Sequence, residues 1–342
     1  MIKPLLSVLT ITSIMISCKP ASEPATSEKL TYPITAKSDQ VDDYFGVKVS
    51  DPYRWLENDT AEDVKKWVTE ENKVTFGYLE KIPFRNKIKE RLTDIFNYPK
   101  YSNPFRAGEY YFFSKNDGLQ NQSVIYYQKG LDGKPEVFLD PNTMSSDGTA
   151  AVSLLGFSKD KKYVAYAINQ SGSDWQTIYV MEVATKKLMS DKLEWVKFSG
   201  ASWKNNGFYY ARYDAPPKGK EFSQKNEYHK IYYHRLGDTQ DKDVLVYENK
   251  DKPLRYYGAS VTEDERFLII YVSEGTDGTE MYYKDLQSNQ KDFGLLFAGF
   301  QDNYSVINNI GDKLLVQTDA GAPNQRVILV DPKNPKKENW KD

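Results

Sequence analysis

The chain has 342 residues, with 46 basic and 48 acidic side chains and a net charge of −2. This length predicts roughly two domains and a sizeable buried core. Because the charges nearly balance, a basic surface for nucleic acid is excluded, and so is an acidic solvated arm. A single cysteine excludes an internal disulfide framework and a cysteine-built metal site. No phosphate-binding loop, His-Glu-x-x-His pair or EF-hand pattern occurs, so we expect neither a metal nor a cofactor.

The first 18 residues have the pattern of a secretory signal. Lys3 precedes an apolar stretch from Leu5 to Ile16, and Cys18 follows. A cysteine at the cleavage point resembles a bacterial lipobox, although Met15 stands where leucine is usual. An ordinary cleaved signal with an incidental cysteine is the alternative. We therefore expect a signal peptide over 1–18 with lipidation at Cys18, and a flexible tether over 19–30. The protein would then be a lipoprotein of the bacterial cell envelope, facing the periplasm or the surface and held to the membrane by its lipid.

Two helices are predicted after the tether. The first begins near Thr60, where residues 60–63 resemble a capping box with Asp in place of Glu. Val64, Trp67 and Val68 then recur at helical spacing. The second helix runs from about 84 to 96 and is ended by Asn-Tyr-Pro; its apolar stripe consists of Ile88, Leu92, Ile95 and Phe96. Both stripes require an apolar partner surface.

From Tyr101 onward, short strands rich in Tyr, Val and Ile alternate with polar turns. Five pairs of strands recur about 45–60 residues apart, a spacing typical of β-propeller blades. The paired strands are predicted at 110–113 and 124–127, 163–166 and 177–180, 208–210 and 230–233, 267–270 and 280–283, and 314–316 and 326–329. A flat β-sandwich is the alternative architecture, and the repeat period argues against it.

One stretch is far more specific than the rest. Residues 42–57 read DDYFGVKVSDPYRWLE, and Trp67, Glu71-Asn72, Tyr78-Leu79, Ile82-Pro83, Arg85 and the NYPK of 97–100 follow in order. This series resembles the N-terminal signature of the prolyl oligopeptidase family, serine peptidases that cut short peptides after proline. Segments such as GFSKD at 156–160 and SGSDW at 171–175 extend the resemblance to about residue 335.

The resemblance implies a seven-bladed β-propeller inserted near the start of an α/β-hydrolase domain. The fold expected here is therefore mostly β: an incomplete propeller of that type with about five blades, preceded by helices of a hydrolase domain whose catalytic part is absent. We expect the N-terminal hydrolase segment at 31–98 and the partial propeller at 99–342. The chain ends at Asp342 between predicted strands, which we interpret as a truncation.

No catalytic triad is predicted in this chain. An α/β-hydrolase nucleophile occupies Gly-x-Ser-x-Gly, but the two Gly-Ala-Ser sequences ending at Ser202 and Ser260 continue to Lys204 and Thr262. Both are predicted at the starts of strands. His229 and His234 precede any position that the family's catalytic base would occupy, and we interpret them as surface or packing residues.

The resemblance also implies substrate-facing positions on the propeller: Val180, Tyr256, Ser273 and Thr276. In animal members of the family, arginine and cysteine stand at the positions of Ser273 and Thr276, so a charge-assisted hold on the peptide is in doubt here. Ordinary strand and loop roles are the alternative for all four residues.

The function implied is that of the N-terminal part of a prolyl oligopeptidase-like serine endopeptidase. Its propeller would gate access of short proline-containing peptides, and the missing C-terminal catalytic domain would be its partner. We expect this chain alone to be inactive. The alternative is a non-catalytic propeller lipoprotein that binds peptides or another partner.

Overall fold

The computed structural model describes residues 29–342. The chain divides into two compact units, one ending at Arg85 and the other spanning Asn86–Asp342; each is described by itself. The predicted signal, Cys18 and nearly all of the tether lie outside the described residues. Within residues 29–342, no helix combines the length and apolar character needed to cross a membrane.

The first unit contains the stretch that carries the family resemblance, and the structure explains why these residue types occur there. Strands β1 (Val41–Tyr44) and β2 (Val47–Ser50) form an antiparallel hairpin. Both residues of its two-residue loop are left-handed, with φ of 57° at Phe45 and 90° at Gly46, as a type I′ turn requires. Beyond the hairpin, the Arg54 guanidinium forms ion pairs with Asp42 and Asp51. These ion pairs thus hold the hairpin against the turn that follows it.

Helix α1 (Glu62–Glu80) follows this turn. Val64 is buried as predicted, but Val68 is 43 % exposed. The Trp67 indole donates a hydrogen bond to Thr35 Oγ1 at 3.0 Å. The predicted capping box is wrong: Ala61 is the N-cap residue, and the Thr60 hydroxyl donates to Asn58 Oδ1 instead.

Helix α2 (Arg85–Phe96) lies at the boundary between the two units. Its predicted apolar residues are about half exposed, from 46 % at Ile95 to 53 % at Phe96. The strands that follow are β3 (Lys100–Tyr101), β4 (Phe105–Ala107), β5 (Tyr110–Asn116), β6 (Val124–Lys129), β7 (Glu136–Leu139), β8 (Ala151–Phe157), β9 (Tyr163–Asn169), β10 (Gln176–Glu182), β11 (Leu188–Val196), β12 (Ser202–Lys204), β13 (Gly207–Arg212), β14 (Lys230–Arg235), β15 (Val244–Tyr247), β16 (Tyr256–Val261), β17 (Phe267–Ser273), β18 (Glu280–Asp285), β19 (Gly294–Phe297), β20 (Tyr304–Ile310), β21 (Lys313–Thr318) and β22 (Arg326–Val330).

These strands form successive antiparallel meanders, each built from neighbours in sequence. The meanders are β3–β7, β8–β11, β12–β15, β16–β19 and β20–β22. The second and third are joined into one sheet by a single pairing, Val196 with Arg212. In the fifth, Leu329 of β22 exchanges backbone hydrogen bonds of 2.7 and 3.2 Å with Lys341. The domain is thus mostly β and of the propeller type.

Each predicted strand pair is present with the expected partner. For example, β9 pairs with β10 over their whole lengths, and β17 pairs with β18 from Phe267 to Val272. The predicted strand start at Ser202 is the start of β12, whereas Ser260 lies near the end of β16. The sequence reasoning did not identify other outer strands of the meanders, such as β8 and β11. These strands are short or carry few aromatic residues, so their pattern is weak.

The core lies between successive meanders rather than within any one of them. In one buried cluster, Ile178 and Leu193 of the second meander pack with Phe208 and Tyr210 of the third. A close backbone approach supports this contact: a Cβ on Gly156 would lie 2.2 Å from the Ala201 carbonyl oxygen, so only glycine fits there. The Trp203 indole donates to the Gly156 carbonyl at 3.0 Å.

A buried ionic network also joins these two meanders. His234 of β14 is fully buried, with its two ring nitrogens 2.9 Å from Asp191 Oδ1 and 2.6 Å from Asp243 Oδ1. The Tyr210 hydroxyl donates to the second oxygen of Asp243 at 2.6 Å. Burial alone would lower the pKa of His234, but the two carboxylates outweigh it and raise the pKa to about 9. The imidazolium is therefore the native form at neutral pH.

Candidate functional site

The site begins with a second buried histidine. His229, just before β14, is also fully buried. Its Nε2 donates to the Lys197 carbonyl at 3.1 Å, and its Nδ1 accepts from the Tyr257 amide at 2.9 Å. Burial lowers the pKa of His229 to about 4, so the ring is neutral and has one donor and one acceptor. His229 thus fixes the end of β11 against the start of β16.

Two of the predicted substrate-facing residues lie opposite each other at that end of β16. Tyr256 pairs in register with Ser273, the last residue of β17. The Tyr256 hydroxyl donates to the Gly275 carbonyl at 2.7 Å. Its ring lies 5.5 Å from the ring of Phe198, which is 59 % exposed and has a left-handed φ of 52°. A half-exposed aromatic pair therefore adjoins the predicted positions.

Phe198 was missed in the sequence analysis. Its signal would have been a large apolar residue directly before Ser199-Gly200, where a strand ends and a turn begins. The structure brings Phe198, Tyr256 and Ser273 together. We call these three residues and Thr276 the candidate surface.

Thr276 lies in an exposed loop that the next meander holds in place. The Asn303 side chain donates to Asp277 Oδ1 at 2.7 Å and accepts from the Gly278 amide at 3.1 Å. Asn303 also donates to Asp319 Oδ2 at 2.8 Å, and hydrogen bonds from Asn303 lower the pKa of Asp319. The loop that carries Thr276 is thus fixed on both sides.

Arg255 lies beside the candidate surface, but its charge is already paired with carboxylates. Arg255 forms ion pairs with Glu274 at 2.8 Å and with Glu280 at 2.9 Å. Burial opposes the charge of Arg255, yet these carboxylates raise its pKa. The arginine therefore supports the start of β16 and is not a free anion-binding group.

Val180 lies apart from the other predicted residues. It is fully buried on β10, in the cluster that contains Ile178 and Leu193. A side chain enclosed in the core cannot contact a peptide at the surface. We therefore leave Val180 out of the candidate surface.

The two Gly-Ala-Ser sequences have structural roles. Ser202 begins β12, and its hydroxyl accepts from the Val261 amide at 2.9 Å. Ser260 lies within β16, and its hydroxyl donates to the Tyr271 hydroxyl at 3.3 Å. Neither serine lies on the strand-to-helix turn that a nucleophile elbow requires. Both histidines are packing residues whose ring nitrogens are all hydrogen-bonded, so neither can accept a proton from a serine.

Aromatic side chains line a small cavity, and one of them, Trp175, contacts Lys197. Trp175 lies 5.5 Å from Trp195 and 6.1 Å from Tyr213, nearly perpendicular to both rings. Its indole donates to the Glu221 carbonyl at 2.8 Å. Trp175 and Tyr213 line a cavity of about 170 Å³ beneath the segment 214–228. Among residues 29–342, no group of three or more His, Cys, Asp and Glu side chains could hold a metal ion.

Comparisons with known proteins give a consistent result. The family described as prolyl oligopeptidase, N-terminal beta-propeller domain, matches residues 33–342. The prolyl endopeptidase of Elizabethkingia meningoseptica is 48 % identical over 317 residues, which are 92 % of this chain and 45 % of that enzyme.

Solved structures agree with the sequence match. A prolyl endopeptidase structure superposes with a TM-score of 0.77 at 32 % identity, over 91 % of this chain and 46 % of that one. Prolyl oligopeptidase B from Galerina marginata, bound to a 35mer hydrolysis and macrocyclization substrate, gives 0.72 at 31 %, over 91 % and 47 %. The chain spans less than half the length of these relatives. It belongs to the prolyl oligopeptidase family and contains that family's N-terminal β-propeller domain.

Proposed function

We propose that this chain is the N-terminal part of a prolyl oligopeptidase-like serine endopeptidase that hydrolyses Pro-Xaa bonds in short peptides. The observation that carries the proposal is the family match over residues 33–342. In this proposal the propeller restricts access of peptides to a catalytic domain, and the candidate surface of Phe198, Tyr256, Ser273 and Thr276 contacts them.

In the same proposal, each meander is one blade, which gives five blades in this chain. The alternation of predicted strand pairs and the burial of side chains between successive meanders support it. Helices α1 and α2 are then leading helices of an α/β-hydrolase domain. The half-exposed apolar residues of α2 fit a helix whose partner surface belongs to that domain.

The chemistry must come from outside this chain. Acyl transfer by a serine peptidase needs a hydroxyl activated by a histidine base and donors that stabilise the oxyanion. The only two histidines of the sequence are His229 and His234, and hydrogen bonds occupy both nitrogens of each ring. We therefore propose that the chain alone does not hydrolyse peptides.

A chimera tests this assignment. The 342-residue chain would be joined to the remaining half of the Elizabethkingia prolyl endopeptidase. The chimera and the chain alone would each be assayed with a Gly-Pro chromogenic peptide. We expect turnover by the chimera and none by the chain alone. Activity of the chain that survives purification and is abolished by a serine-directed phosphonate would contradict the proposal.

Gating is tested with the same chimera and a length series of substrates. We expect cleavage of peptides of about ten residues and little cleavage of the same sequence within a folded protein. Equal cleavage of both would reject a gating role while leaving the catalytic assignment intact.

We also propose that the protein is a lipoprotein of the bacterial cell envelope, modified at Cys18. Its support is the sequence pattern alone: a short apolar run, a lone cysteine and a polar tether. Metabolic labelling with a fatty-acid analogue is expected to mark the wild type and not Cys18→Ala. Equal labelling of the two proteins would reject the anchor.

A further inference from the structure

Lys197 is a buried cation whose ammonium group lies against an aromatic ring. It is only 7 % exposed, although lysine is among the side chains that proteins bury least often. Its Nζ lies 3.9 Å from the centroid of the Trp175 ring. Within the described part of the chain, no hydrogen bond or ion pair reaches this Nζ. An ammonium group has three donors, and a ring face satisfies them only in part.

The surroundings hold Lys197 in position. His229 Nε2 donates a hydrogen bond to the backbone carbonyl of Lys197 at one end of the contact. Trp175 is fixed at the other end by its hydrogen bond to Glu221 and by the perpendicular rings of Trp195 and Tyr213. The lysine therefore cannot swing into solvent without breaking packed contacts.

The ammonium group nevertheless keeps some contact with solvent. The fully enclosed polar atoms without partners in residues 29–342 belong to Asp191, Arg212, Tyr257 and Arg326, and Lys197 Nζ is not among them. Burial lowers the pKa of Lys197, and the charge of Asp174 partly opposes that shift. An incoming anion would restore the lost solvation of this charge.

We propose that Lys197 binds a carboxylate of the peptide that occupies the candidate surface. The lysine directly precedes Phe198 in the chain, and His229 ties its backbone to Tyr257, the neighbour of Tyr256. A single ammonium matches a singly charged group, and the charge of Asp174 repels a phosphate dianion more strongly than a carboxylate monoanion. This inference rests on the proposed peptide function. The carboxylate is either the C-terminus of the peptide or an acidic side chain.

The test follows the signal of Lys197 itself. In the 342-residue protein labelled with ¹³C at lysine Cε, Lys197→Met assigns the signal. The probes are acetate, a proline-containing tetrapeptide with a free carboxylate, its C-terminal amide, and an amide that carries one Glu. Lys192→Gln is the matched control, because Lys192 lies on β11 five residues before Lys197 but is half exposed and paired with Glu194 at 2.6 Å.

We expect a saturable shift of the Lys197 signal with each carboxylate probe and none with the plain amide. The acid peptide should bind about tenfold more tightly than its amide, as a charged hydrogen bond predicts. Lys197→Met should abolish that ratio, Lys197→Arg should retain part of it, and Lys192→Gln should leave it unchanged. The probe that binds more tightly, free C-terminus or Glu side chain, identifies the source of the carboxylate.

A Lys197 signal that stays unchanged with every carboxylate probe would overturn the inference, whether or not the chimera is active. A Lys197 response to acetate with no peptide effect at Phe198 or Tyr256 would instead retain the carboxylate site and reject the peptide function. The two failures are therefore distinguishable.

Discussion

The two buried histidines lie five residues apart, yet the protein uses them in opposite ways. His234 joins the second and third meanders through two carboxylates and is charged. His229 joins the end of the second meander to the fourth through a carbonyl and an amide and is neutral. Both rings are fully buried, so burial alone does not set their charge. The hydrogen-bonding partners decide it.

The contacts of His234 are called the charged junction and those of His229 the neutral junction. We expect the two junctions to differ in function as well. The charged junction lies within the core and has no residue of the candidate surface. The neutral junction positions Lys197, Phe198 and Tyr256. Changes at His234 should therefore act on stability alone, whereas changes at His229 should also alter peptide binding.

The largest effect is expected from His234→Leu. This substitution leaves Asp191 and Asp243 close together without a countercharge, which should lower the free energy of unfolding by about 3–5 kcal/mol. Urea denaturation at pH 7 measures it. Full stability retained in this variant would show that the ionic network is not what joins the two meanders.

His229→Leu is the matched variant at the other junction. It leaves the Tyr257 amide and the Lys197 carbonyl without partners, which should lower the free energy of unfolding by about 2–3 kcal/mol in total, near the low end of the range for two such groups. Peptide affinity should fall together with stability, because the candidate surface loses its support. A variant that is destabilised but binds peptides normally would separate His229 from the surface.

The pH dependence of stability should distinguish the two rings. The folded pKa of His234, about 9, lies above its unfolded value, so its contribution is complete below pH ~6.5 and is lost as pH rises through 9. The folded pKa of His229, about 4, lies below that value, so its contribution is complete above pH ~6.5 and is lost as pH falls toward 4.

Each slope amounts to about 1.4 kcal/mol per pH unit within its window. Relative to wild type, His234→Leu should flatten the alkaline side of the profile and His229→Leu the acid side. Identical profiles for the two variants would contradict the assigned charge states.

The smallest effect is expected from Tyr256→Phe. The substitution removes one hydrogen bond to the Gly275 carbonyl at a partly exposed position, worth about 0.5–1.5 kcal/mol. Stability should change within that range, and the Phe198 ring contact should persist. Nuclear Overhauser contacts between the two rings measure this persistence, and their loss would show that the hydroxyl is what orders the surface.

The sequence predicted one pair of adjacent strands in each meander because aromatic and β-branched residues alternate in them. It failed for outer strands such as β8 and β11, which carry one aromatic residue each. It also failed at the start of α1, where Thr60 bonds to Asn58 rather than capping the helix. Local patterns do not specify which of two neighbouring acceptors a hydroxyl will use.

The candidate site was predictable in part. The resemblance led to Tyr256, Ser273 and Thr276, which the structure places at one end of β16 and β17. It gave no indication of Phe198 or Lys197, because their roles depend on His229 and Trp175, which are distant in sequence and adjacent only after folding. The partners of His234 are likewise 43 and 9 residues away, so the sequence could not reveal its charge.

Photo-crosslinking tests the central claim, that the end of β16 faces peptides, most directly. The photoreactive p-benzoyl-phenylalanine would replace Phe198 in the chimera described above, with its catalytic serine changed to alanine, and a proline-containing peptide would be added. Leu131, which is 73 % exposed in the first meander, is the control position. We predict crosslinks from position 198 that excess unlabelled peptide prevents, and none from position 131. Equal labelling from both positions, or labelling that excess peptide does not reduce, would contradict the account.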